Sequence, residues 1–275
     1  MEQAESVDEI ESALRFHRNS PIALVPTMGA LHAGHAALVE KARTLAPTVV
    51  MSIFVNPLQF GDPTDFQRYP RTMESDREMA RQLDVDLLWT PSQLDIYPPD
   101  VQIPLIDPGD LGNQYEGAIR PGHFAGVLTV VSRLFDVVRP DVAIFGEKDR
   151  QQLELIRRMA TKQERVEIIG VPTVREADGL ALSSRNRFLT PQDRELALGV
   201  HSAISRAQEE GAHGVPTAMK VATEELRSLK VEYVELVDAK TWQPVKEDFI
   251  GEAILLIAAK VGSVHLIDNA MVRIG

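Results

Sequence analysis

The alternation of short apolar runs with helix-like segments constrains this chain more than any other feature. Ile22–Val25, Thr48–Val55, Val85–Trp89, Pro140–Phe145 and Val166–Val174 read as buried strands. Between them lie segments of helical spacing, among them Ala36–Leu45, Phe124–Val138 and the helix that opens with GEKDRQQL at Gly146. Strands that recur with helices between them pair in parallel, because a crossover of that length brings the chain back in the same direction. The pattern predicts an α/β fold, a Rossmann-like doubly wound parallel sheet with ligands beyond the carboxyl ends of its strands. From Pro191 the alternation stops. Helix-like stretches at Asp193–Glu210 and Pro216–Leu229 precede strand candidates at Val231–Val237, Ala253–Ala259 and Ser263–Met271, an α+β order. A boundary near Val174–Glu176 assigns residues 1–175 to the first domain. Residues 176–275 form a smaller C-terminal α+β domain expected to close over the active site.

The first strand-to-helix crossing, PTMGALHAGH at Pro26–His35, carries two histidines at the start of a helix. Unpaired N–H groups and the helix dipole attract anions there, and phosphate is the obvious one. A bare His-x-x-His also fits a metal pair or a polar turn. A metal site needs further ligands, yet the chain has no cysteine and its other histidines are scattered. Gly34 fits better as a place where a nucleotide lies against the backbone. The crossing after Pro140–Phe145 offers Lys148 as a point charge for phosphate. Its helix should bury a face through Asp149, Leu153, Ile156 and Ala160, with Gln152 alongside. Pro57 stops the second strand and holds Asn56 extended, so Asn56 and Gln59 project near a strand end, or else form a capped turn. Asp76 shares a helix face with Met73, Ala80 and Leu83, and a carboxylate there needs an arginine, a backbone cap or a cation. The glycine-rich LGNQYEGAIRPGHFAGV carries Glu116, Arg120 and His123 to the start of an apolar helix, as an active-site wall or a solvated connection. Ser183-Ser184-Arg185 offers two hydroxyls and a guanidinium to phosphate oxygens.

Composition narrows the class. A net charge of −11 over 275 residues argues against a nucleic-acid surface. Lack of cysteine removes disulfides, thiol nucleophiles and cysteine metal sites, and makes the cytoplasm the natural home. No run reaches the roughly 18 apolar residues of a membrane span. The acidic N-terminus, MEQAESVDEIESALRF, reads as a surface helix.

Taken in order, PTMGALHAGH, SIFVNPLQFG, YPRT, EGAIRPGHFAGV, FGEKDRQQL, DGLALSSRN and the C-terminal LIDN closely resemble the pantoate–β-alanine ligase family. The His-x-Gly-His turn alone is shared with a wider nucleotidyltransferase superfamily that includes class I aminoacyl-tRNA synthetases. ALSSR looks like a counterpart of their Lys-Met-Ser-Lys-Ser loop. The resemblance implies a homodimeric, Mg²⁺-using ligase that joins (R)-pantoate to β-alanine through a pantoyl adenylate, consuming ATP. It implies that His32 and His35 bind phosphates and stabilise the transition state, with His35 the acid. Met28, Gly29, Gly34, Gly146, Asp149, Val174 and Leu182 would line the ATP site. Lys148, Ser183, Ser184 and Arg185 would hold the triphosphate, the last three from a mobile loop. Gln59, Gln152, Asn56, Met28, Arg120 and His123 would bind pantoate and β-alanine, the two glutamines as the pair that hydrogen-bonds pantoate, with Gln59 open to β-alanine as well. Glu116, Arg120 and His123 would form a flexible wall that excludes water from the intermediate. Some relatives carry a second acid where Ser75 stands here, which leaves a metal role for Asp76 open. A nucleotidyltransferase that keeps its nucleotide conjugate, and an RNA-binding relative of the synthetases, are the competing classes.

Overall fold

The computed structural model describes residues 1–163 and 166–275. The chain divides into two compact units, Met1–Pro172 and Thr173–Gly275. The division falls just before the Val174–Glu176 boundary read from the sequence.

The first unit opens with a three-residue strand, β1 (Glu2–Ala4), and helix α1 (Val7–Leu14), whose first turn is capped by the Ser6 side chain accepting from the Glu9 N–H. There follow β2 (Ile22–Thr27), α2 (Ala33–Arg43), β3 (Thr48–Ile53), α3 (Pro63–Arg68), α4 (Met73–Gln82), β4 (Leu87–Trp89) and α5 (Gln93–Ile96). A short α6 (Glu116–Ile119), the long α7 (His123–Val138), β5 (Val142–Gly146), α8 (Arg150–Gln163) and β6 (Glu167–Val171) complete it. Among the described residues the six strands form one parallel sheet in the order β1-β4-β3-β2-β5-β6. Every residue of β3 is buried, as expected of a strand covered on both faces. The chain moves one way from β2 through β3 to β4, then returns to the other side of β2 with β5. That reversal is the topological switch point, and it lies where the turns after β2 and β5 meet.

The N-terminus is the expected surface helix at α1, with Glu9 exposed and one apolar face buried, but a strand that the sequence does not announce precedes it. Glu2–Ala4 pair with Leu87–Trp89 at the sheet edge, and Ile10 and Leu14 are fully buried. Three residues, two of them polar, carry no period from which a strand can be read.

The second unit contains α9 (Pro191–Glu210), α10 (Val215–Glu225) and the antiparallel strands β7 (Lys230–Asp238), β8 (Gly251–Val261) and β9 (Val264–Ile274), in the order β7-β8-β9. Ala253, Leu255, Ile257 and Ala259, alternate residues of β8, share a core with Val200, Ile204 and Ala207 of α9 and Ala218 and Ala222 of α10. This is the expected α+β unit, with α10 ending at Glu225, four residues before the predicted Leu229. Among the described residues no helix is long and apolar enough to cross a membrane.

Candidate active site

The turn between β2 and α2 reverses the chain with two successive left-handed residues, Gly29 (φ 81°) and Ala30 (φ 50°). His32 is then the N-cap of α2, in extended conformation, and His35 occupies the third helical position. The helix begins at Ala33, three residues before the apolar pattern shows it, because capping and not burial sets its start. The Gly34 N–H donates to His32 Nδ1 at 3.1 Å, and the His32 N–H donates to His35 Nδ1 at 3.2 Å. A Cβ on Gly34 would lie 2.8 Å from His32 Cε1, so the glycine is there to admit the imidazole over the helix start.

Both Nδ1 atoms accept, so each ring carries its proton on Nε2. The rings are 4.2 Å apart between centroids. Burial holds the pKa of His32 below its usual value, helped by the Lys148 charge. Burial, with His32 beside it, depresses His35 to about 3. The pair at neutral pH is therefore two neutral donors beside the N–H groups of a helix start. His35 is placed to donate a hydrogen bond to an oxyanion, and the imidazolium acid expected of it is not the form that this burial favours.

β5 delivers the second half of the switch point. Gly146 ends the strand, and the turn Glu147–Asp149 carries Lys148, whose Nζ lies 3.7 Å from Asp149 Oδ1. The Asp149 carboxylate raises the pKa of His32, His35 and His123 against burial, so all four groups share one field. Leu153, Ile156 and Ala160 form the buried face of α8 as expected, while Asp149 is only half-buried. Gln152 is half-buried and its amide makes no hydrogen bond among the described residues.

Beyond β3, Asn56 and Gln59 flank a tight turn at Pro57–Gln59. Asn56 is 1% exposed, and its side chain is saturated within the protein. Its Nδ2 donates to Gln59 Oε1 and the Gly126 carbonyl, and its Oδ1 accepts from the Leu58 N–H and the Tyr97 hydroxyl. No group is left for a ligand, so the geometry replaces the binding role expected of Asn56 with that of orienting Gln59. Gln59 Nε2 in turn donates to Met28 Sδ at 2.9 Å, which joins the turns after β2 and β3.

The glycine-rich segment forms a wall fastened at both ends. His123 Nδ1 donates to the Gln59 carbonyl at 2.8 Å, and Arg120 Nη2 reaches the same oxygen at 3.3 Å. Burial, with Arg120 beside it, depresses His123 to about 4, so it too is neutral. Glu116 is buried, 3.5 Å from Arg120. Gln151, which the sequence did not single out, is the anchor. Its amide donates to the carbonyls of Leu111 and Gln114 and accepts from the Glu116 N–H. Nothing distinguishes it from Gln152 in the sequence except which side of α8 each occupies.

The remaining expected residues lie in the second unit. The Leu182 N–H donates to the Val174 carbonyl at 3.0 Å, and Ser183 caps a short turn at Ser184–Phe188 by accepting from the Arg185 N–H. The base of this loop is clamped by features that sequence spacing could not reveal. Arg175 makes a bidentate pair with buried Asp268, and Arg194 bridges Glu176 and Asp178. Asn186 Nδ2 donates to Glu176 and the Ala181 carbonyl.

The expected Mg²⁺ finds no protein cage. Among the described residues no three His, Asp or Glu side chains converge as a metal would require. Asp76 accepts from the backbone N–H groups of Ala30 and Leu31. The carboxylate is thus satisfied by backbone N–H groups and the Thr72 hydroxyl, and by no arginine.

A doubly wound parallel sheet with two neutral imidazole donors, a helix start and a lysine at its switch point defines an α/β enzyme acting on phosphate-bearing nucleotides. Residues 1–271 match the family described as pantoate-beta-alanine ligase. A pantothenate synthetase of Saccharopolyspora erythraea is 50% identical over 275 residues, covering 98% of this chain and 90% of its own. One from Mycolicibacterium smegmatis is 49% identical over 259 residues, covering 92% and 81%. The crystal structure of pantothenate synthetase from Thermus thermophilus matches with a TM-score of 0.93 at 43% identity, over 98% of this chain and 99% of that one. A pantoate-beta-alanine ligase of Francisella tularensis, complexed with beta-gamma ATP and beta-alanine, matches with a TM-score of 0.82 at 35% identity, over 98% and 97%. This chain belongs to the pantoate–β-alanine ligase family, and its enzyme class is ligase.

Proposed function

We propose that this chain condenses (R)-pantoate with β-alanine in two steps, using ATP. In the first, a pantoate carboxylate oxygen bonds to the α-phosphorus of ATP while the bond to the bridging oxygen breaks, and pyrophosphate leaves. In the second, the β-alanine nitrogen bonds to the acyl carbon, AMP leaves with the oxygen from the carboxylate, and the nitrogen releases a proton. The observation that carries this reading is the pair of Nε2–H donors held at the α2 start with Lys148 acting on them. In-line displacement at phosphorus needs fixed donors aimed at developing charge more than it needs a nucleophilic side chain.

In this reading His32, His35 and Lys148 bind the phosphates, while Met28, Gly29, Gly34, Gly146 and Asp149 line the nucleotide site. Within the second unit, the Ser183-Ser184-Arg185 loop carries two hydroxyls and a guanidinium able to bind phosphate oxygens, with Val174 and Leu182 bonded to each other at its base. Gln59 and Gln152 hold pantoate by their amides, and the wall of Glu116, Arg120 and His123 shields the acyl adenylate from water. Mg²⁺ arrives with the triphosphate and not on a cage of side chains. The homodimer and the cytoplasmic location expected of the family belong to the same proposal. A direct test uses pantoate labelled with ¹⁸O in its carboxylate. Transfer of one ¹⁸O to AMP is expected, whereas labelled inorganic phosphate with ADP, or a stable nucleotide conjugate without AMP, would overturn the adenylate route.

A further inference from the structure

The carboxylate of Asp76 is 46 positions from Ala30 in sequence, yet it is built into the turn that presents the two histidines. We propose that Asp76 is a positioning residue that holds the Gly29–Ala30–Leu31 turn and thereby sets the imidazoles of His32 and His35, and that it is not a metal ligand. The inference rests on the ligase reading only for the role of those histidines.

Asp76 lies in the first turn of α4 and is 3% exposed. Its Oδ2 accepts from the Ala30 N–H at 3.0 Å and its Oδ1 from the Leu31 N–H at 2.8 Å. The Thr72 hydroxyl, one turn earlier, lies 3.2 and 3.1 Å from the two oxygens. Within this turn the N–H groups of Ala30 and Leu31 point toward one carboxylate. Such a concavity takes an anion. The chain fills it with its own carboxylate, so phosphate is left to the α2 start one turn further on. The fit is close on the other side as well. A Cβ on Gly29 would stand 2.9 Å from Asp76 Oδ2 and 3.1 Å from Ile53 Cγ2. Ala30 has no glycine's freedom at φ 50°, and the carboxylate bonded to its N–H keeps it there. His32 follows Leu31 directly, so the direction in which its extended backbone enters α2 is set by this turn.

A cation held by the protein itself needs several oxygen ligands around it, and Asp76 would supply only one residue's. The Asp76 oxygens are engaged by donors, and the adjacent Ser75 hydroxyl donates to the Thr72 carbonyl. Among the described residues no third acid or histidine completes a set.

The test compares Asp76→Asn, Thr72→Val and Gly29→Ala with the unaltered protein. Asp76→Asn keeps the volume but turns one acceptor into a donor facing a backbone N–H. The maximal rate of pantoate-dependent ATP–pyrophosphate exchange should fall about 10- to 100-fold, the scale of a misplaced catalytic group. The Mg²⁺ concentration giving half-maximal rate should stay where it is. Thr72→Val, which spares both backbone bonds, should lose less, and Gly29→Ala should reproduce Asp76→Asn. A second readout needs no turnover. In ¹⁵N spectra of the imidazoles, Asp76→Asn should shift His32 and His35 while leaving His123, which is bonded to Gln59, unmoved. An Mg²⁺ requirement raised about tenfold or more in Asp76→Asn, with the rate recovered at saturation, would make Asp76 a metal ligand. Unchanged exchange and unchanged spectra would also overturn the proposal. If the unaltered protein shows no pantoate-dependent exchange, the ligase reading fails, and the imidazole spectra still decide the role of Asp76. Should Asp76→Asn not fold, Thr72→Val and Gly29→Ala carry both readouts.

Discussion

At the scale of single residues, chemistry here is a matter of which nitrogen holds a proton. Because His35 Nδ1 accepts the His32 N–H, the ring can only donate from Nε2, and burial keeps it neutral. His35→Ala should lower the rate of pyrophosphate release roughly 100- to 1,000-fold, the cost of one transition-state donor, with a much smaller change in the concentration of pantoate required. Single-turnover quench measurements would show it, and a near-normal rate would remove His35 from the phosphate site. The pH dependence follows from the same burial. His32, His35 and His123 are all depressed, the last two to about 3 and about 4. The free enzyme's kcat/KM for ATP should thus show no histidine limb near pH 6.5, since burial moves all three imidazoles below it. An acid limb near 6.5 that the ionisation of ATP's terminal phosphate does not account for would mean that an exposed imidazole does the work.

At the scale of elements, the two crossings after β2 and β5 were legible in the sequence because an apolar strand ending in a polar helix start is a local pattern. The same pattern located Lys148, His32 and His35 at the two turns where the structure places them. The supports behind them were not legible in that way. Asn56 looks from its position like a ligand-facing residue, and only the contacts from Gln59, Gly126 and Tyr97 show that its bonds are used up. Gln151 and Gln152 differ only by the rotation of α8. Tyr97, whose hydroxyl is kept protonated by burial, sits in a proline-rich loop that has no period at all. The division of labour between the two glutamines is testable. Gln152→Ala should raise the pantoate KM while leaving that for ATP, since its amide is open. Gln151→Ala takes the acceptor from the Glu116 N–H, at about 1–3 kcal/mol for a buried group left unsatisfied, and removes a second donor from the Leu111 and Gln114 carbonyls, which keep the Gln114 and Gly117 N–H groups. It should lower the thermal midpoint and speed proteolysis within residues 111–122. Equal effects of the two substitutions on pantoate KM, with no change in stability, would contradict this assignment.

At the scale of the whole molecule, strand alternation foretold the parallel sheet and its end foretold the second unit, because both are set by long-range burial that leaves a periodic trace. The clamp between Arg175 and Asp268, 93 positions apart, leaves none. Stability should carry the mark of the buried histidines. Above pH 6.5 they are neutral in the folded and unfolded chains alike. Below it the unfolded chain takes up protons that the folded one rejects, so stability is lost as pH falls from about 6.5 toward 4. The thermal midpoint should drop over that window, and His123→Asn should flatten the drop. An unchanged slope would place the acid sensitivity elsewhere.

On the proposed route, adenylation of pantoate precedes β-alanine and does not require it. Enzyme mixed with comparable amounts of ATP, Mg²⁺ and (R)-pantoate, without β-alanine, should release one pyrophosphate per active site in a burst, with AMP and pantothenate appearing only when β-alanine is added. Absence of a pantoate-dependent burst, or pyrophosphate release that waits for the amine, would contradict the account.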